Sequence, residues 1–81
     1  MTCLYVLDVP ENTPLVELSR EQDDLKVRPV GPYWEITSDG PIVIDRRATG
    51  MRHAVWYSCV AGITRSRIAQ WDKNALRLEE S

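Results

Sequence analysis

The segment Met51–Ala61, MRHAVWYSCVA, decides how the rest of the chain is read. Taken as a strand, it sends Met51, His53, Val55, Tyr57, Cys59 and Ala61 to one side. Arg52, Ala54, Trp56, Ser58 and Val60 go to the other. The first set is the better core face. Upstream lies PIVIDRRA, Pro41–Ala48, followed by Thr49-Gly50, where glycine accepts the positive φ of a hairpin turn. A two-residue loop there sets Ile44 against Val55 and Ile42 against Tyr57, apolar against apolar, which is how register is specified. It also sets Val43 beside Trp56 and Arg47 beside Arg52, and the second of these pairs is a like-charge cost.

Working outward, Tyr33–Ile36 (YWEI) reads as the preceding strand. A Thr37–Pro41 loop would place Ile36 against Ile42 and Trp34 against Ile44. Downstream, RIAQWDKNALRLE reads as a hairpin with Lys73-Asn74 at its tip, pairing Trp71 with Leu76, Ala69 with Leu78 and Arg67 with Glu80. Gly62 would relieve crowding or bend the strand before it. Met1–Val9 is apolar on both sides, which suits a strand inside a sheet or under a cover, and Pro10 ends it. Thr13-Pro14 and the spacing of Leu15, Leu18, Gln22 and Leu25 predict one short helix within Pro14–Leu25.

The fold expected is therefore a β-dominated α+β domain, a curled antiparallel meander of five to six strands, able to close into a small barrel, with one helix near residues 14–25. One domain spans residues 1–81, with an N-terminal strand at 1–9, a helix or loop region at 10–32 and the meander at 33–80. A chain of 81 residues buries only about 60–65% of its unfolded surface, so it sits near the lower limit for a self-sufficient core. Phe is absent, and 3 Trp and 3 Tyr carry the aromatic load, each with a polar atom that wants a partner.

Net charge is −2, unevenly spread. Arg46 to Leu78 holds Arg46, Arg47, Arg52, Arg65, Arg67, Lys73 and Arg77 against Asp72 alone. Such a basic half admits nucleic acid or another polyanion as a less favoured partner. Cys3 and Cys59 are too few for a secreted disulfide framework, and no leader or membrane-length apolar run is present, so a cytoplasmic protein with reduced thiols is expected. Along one strand Cys59 and His53 stand roughly 20 Å apart, too far for a thiolate–imidazole pair. Cys3, Cys59 and His53 are too scattered for a zinc site, and Glu35 with Asp45 lacks a pocket that would desolvate one acid. No catalytic residue, metal or cofactor is assigned.

The best functional candidate is the strand face carrying Tyr33, Val43, Arg47, Arg52, Trp56 and Val60, with Glu35 and Asp45 beside them: either the N-terminal strand or helix covers it as a second core layer, or its apolar centre and charged rim make a protein interface. On this reading the chain is a non-catalytic interaction module or accessory subunit of a cytosolic assembly, self-associating or bound to a partner protein. A nucleic-acid-binding barrel using the same Arg and aromatic face is the alternative.

Overall fold

The computed structural model describes residues 1–81. Thr2–Leu7 forms strand β1, with Leu4 and Val6 fully buried on its inner side and Pro10 opening the short 3-10 turn that follows. Helix α1 spans Thr13–Glu21, with Pro14 in its first turn, where a missing N–H costs nothing. Leu15 and Val16 are buried on its inner stripe, and Ser19 satisfies its own hydroxyl there by donating to the Leu15 carbonyl at 2.8 Å. Strands β2 (Lys26–Val30) and β3 (Tyr33–Ser38) follow, joined through Gly31 at φ 56°.

The second half comprises β4 (Ile42–Asp45), helix α2 (Arg46–Thr49), helix α3 (His53–Ser58), β5 (Val60–Thr64), β6 (Ser66–Trp71) and β7 (Ala75–Glu80). All strand pairs are antiparallel, in two sheets ordered β2-β3-β1-β5 and β4-β7-β6. One core lies between them. Leu4, Val6 and Ile36 enter it from the first sheet, Ile42, Ile44, Leu76 and Leu78 from the second, and Leu15, Met51, Trp56 and Cys59 from the helical side.

The β-dominated α+β class stands, as do the inner position of β1 and the helix in the region read as helical. The central stretch differs. His53–Ser58 is a helix, because Met51, Val55 and Cys59 recur at four-residue spacing and, with Trp56, make one buried stripe. Gly50 takes positive φ, 72°, as expected of a turn residue, but it caps α2, and its N–H donates to the Arg46 and Arg47 carbonyls. Asp45 caps the other end by accepting the Arg47 N–H at 3.0 Å. The Arg47–Arg52 ladder pair therefore never forms.

Pairing differs as well. Strand β3 lies between β1 and β2, whereas β4 pairs with β7 in the other sheet, Ile42 against Leu78 and Ile44 against Leu76. In the final hairpin Trp71 does face Leu76, but an irregularity between Ile68 and Gln70 shifts the rest to Ile68–Leu78 and Arg67–Glu79. Its turn is held by the Asp72 carboxylate, which accepts the Asn74 and Ala75 N–H groups at 2.8 and 3.0 Å. These bonds hold the Asp72 carboxyl below its ordinary pKa.

Candidate functional site

The residues singled out in the sequence do not share a face. Trp56 has 0% exposure and lies in the core, where its indole N–H donates to the Asp72 carbonyl at 2.7 Å. Val60 packs against the same core. Arg47 and Arg52 are exposed on α2 and at the start of α3, and Val43 is exposed on the outer side of the second sheet, opposite Arg77. Tyr33 lies on the surface described below, as does Glu35 of the two acids read beside it. Cys3 and Cys59 are both free and buried. Burial pushes the Cys59 thiol up to about 11, and its Sγ donates to the Trp56 carbonyl at 3.0 Å. His53 is exposed at the first turn of α3.

The basic second half is dispersed too. Arg67 and Arg77 both pair with Glu79 on the second sheet, at 2.8 and 2.9 Å. The Arg46 guanidinium donates to the Met51 and Lys73 carbonyls.

What the fold leaves open is the outer face of the first sheet. Residues opposite one another in a ladder share a face. The registers therefore line up Lys26, Thr37, Cys3 and Thr64 in one row and Arg28, Glu35, Tyr5 and Gly62 in the next; Val30, Tyr33 and Leu7 complete the third. Leu7, Val30 and Tyr33 are exposed, and α1 packs on the opposite, inner side, where Arg20 sits 4.8 Å over the Trp34 ring. The face is apolar at one end and polar at the other.

Its centre is a fixed network. The Tyr5 hydroxyl donates to one Glu35 oxygen at 2.8 Å, and Arg28 Nε donates to the other at 2.6 Å. The Glu35 side chain is 12% exposed and that of Arg28 71%. Arg28 first, then Tyr5, holds the Glu35 carboxyl below its ordinary range, while the bond to Glu35 pushes Tyr5 up to about 12.

Tyr5 separates two depressions. On the apolar side a groove of about 360 Å³ is lined by Val30, Tyr33, Ala61 and Gly62. On the polar side a cleft of about 420 Å³ is lined by Cys3, Arg28, Glu35, Thr64 and Arg65 among others. Gly62 is not crowded, since a Cβ there would meet nothing within 4 Å. The other expectation fits: the register of β5 against β1 shifts beside Gly62, which lies opposite Tyr5 while Val60 lies opposite Val6. Tyr33 and Glu35 were the residues of this surface marked from sequence. The Lys-Val-Arg-Pro-Val alternation of β2 was the available signal for the rest.

No helix is long and apolar enough to cross a membrane. No protein-family model and no curated protein matches the chain. Among solved structures, a chain of the phenol hydroxylase–regulatory protein complex is similar to it with a TM-score of 0.80, at 15% sequence identity. The match covers 99% of this chain and 98% of that one, so the two share a fold from end to end.

Proposed function

We propose that this protein is a non-catalytic accessory subunit that acts by docking onto a larger partner protein. The partner class is a phenol hydroxylase-type enzyme. The observation that supports this reading is the end-to-end fold likeness to the regulatory protein of a phenol hydroxylase complex. The outer face of the first sheet supplies a surface suited to docking, because Leu7, Val30 and Tyr33 present apolar area there without a covering layer. A cytoplasmic setting belongs to the same reading.

The test is a titration of isotope-labelled protein with a purified phenol hydroxylase, read by amide NMR. Perturbation centred on Tyr5, Leu7, Val30, Tyr33 and Gly62 is expected. Gly62→Leu is the informative variant, because Gly62 lines the groove and a Cβ there would meet nothing within 4 Å. It should leave the unbound spectrum folded and weaken docking by about tenfold or more. A hydroxylase that perturbs no resonance, or perturbs only the second sheet, would overturn the proposal.

A further inference from the structure

Arg65 stands where an arginine is out of place. It joins β5 to β6 with φ 55°, the only positive φ in the chain outside glycine. A non-glycine residue is strained in that region, and glycine or asparagine would be at ease. The backbone therefore gives no reason for arginine, and strain of this kind marks positions where the side chain has work to do. Its carbonyl accepts the Ser81 N–H, but its guanidinium has no carboxylate partner, unlike those of Arg28, Arg67 and Arg77.

Arg65 is one of the residues lining the polar cleft. Glu35 is the cleft's acid, and both of its oxygens are already occupied, by Tyr5 and by Arg28. Arg28 spends its Nε on that bond and keeps its remaining N–H donors on a largely exposed head group. The cleft thus carries two guanidiniums against one satisfied carboxylate, on a protein whose net charge is −2. A planar fork of free donors is complementary to a carboxylate.

We infer that the cleft between β1, β3 and the Arg65 kink is a carboxylate-binding site, filled by an aspartate or glutamate side chain of the docked partner protein. This rests on the accessory-subunit reading and specifies its partner. The row of Cys3 and Thr64 lies four residues along β1 from the row of Leu7, about 13 Å on an extended strand. The partner therefore presents an acidic side chain on the order of 10 Å from an apolar one, the first seated on Arg65 and the second in the groove beyond Tyr5.

The experiment measures binding to a purified phenol hydroxylase by calorimetry at low and moderate salt, with the melting temperature of each variant recorded alongside. Arg65→Asn removes the charge and tolerates the left-handed backbone. It is expected to melt at or above the parent temperature and to bind about tenfold more weakly, with a shallower salt dependence. Arg65→Lys should recover part of the loss. Arg67→Asn, on the second sheet, is the control and should bind as the parent does. If the parent itself fails to bind, the accessory-subunit reading fails. If the parent binds and Arg65→Asn binds equally well, that reading survives and the carboxylate site is overturned.

Discussion

The indole N–H of Trp56 reaches 2.7 Å to the carbonyl of Asp72, tying α3 to the turn between β6 and β7. One residue thus fills the core, and its polar atom closes a contact that the hairpin turn cannot make for itself. Trp56→Ala should cost roughly 3–5 kcal/mol, from lost burial and the cavity left behind. That is a large share of the total stability of a domain this small, about 5–15 kcal/mol. Trp56→Phe keeps most of the apolar volume and leaves the Asp72 carbonyl unpaired, so a loss of about 1–3 kcal/mol is expected. Urea unfolding of the two variants checks both figures. Unfolding on Trp56→Ala also separates this residue from the docking surface, where substitutions should spare the fold.

The Tyr5–Glu35–Arg28 network has a pH signature. Glu35 is held below its ordinary pKa in the folded protein, so its contribution is present above the usual carboxylate range and is lost as pH falls through the depressed value. Tyr5 is the opposite case. Raised to about 12, it contributes below the ordinary tyrosine pKa of about 10 and loses that contribution as pH rises through the folded value. Glu35→Gln should therefore narrow its stability deficit against the parent as the solution is acidified. It should also return the Tyr5 titration toward about 10, read from tyrosinate absorbance. An unchanged tyrosinate midpoint would show that Glu35 does not hold the Tyr5 hydroxyl.

Cys59 should be inert in the native state. At 1% exposure, with its thiol pushed up to about 11, it holds roughly one part in ten thousand as thiolate at pH 7. Labelling by a thiol reagent at neutral pH should track global unfolding and accelerate only as denaturant opens the core. Rapid native-state labelling of Cys59 would contradict the placement behind Trp56.

Several elements were legible without the fold. The β-branched and aromatic Met1–Val9 run suits a strand inside a sheet, and β1 lies between β3 and β5, although its outer side is left open at Leu7. Pro14 near a helix start, and a hairpin turning at Lys73-Asn74 with Trp71 against Leu76, are local chemistry, decided within a few residues. The candidate site was much less legible. Of the six residues marked as one face, only Tyr33 lies on the open sheet, because the face depended on a strand that is a helix.

That stretch carried two periods at once. Alternation grouped Met51, Val55 and Cys59 with His53 and Tyr57, while a spacing of four grouped them with one another alone. Thr49-Gly50 could not break the tie, since positive φ serves a hairpin turn and a helix cap equally. The sequence by itself determined the β-rich class, the first strand and the helix after it, and the turn of the last hairpin. The tertiary structure decided the helix at His53–Ser58, the pairing of β4 with β7 and the open face beside Arg65. These depend on which apolar surfaces meet across the core, and that is a property of distant segments that no local pattern encodes.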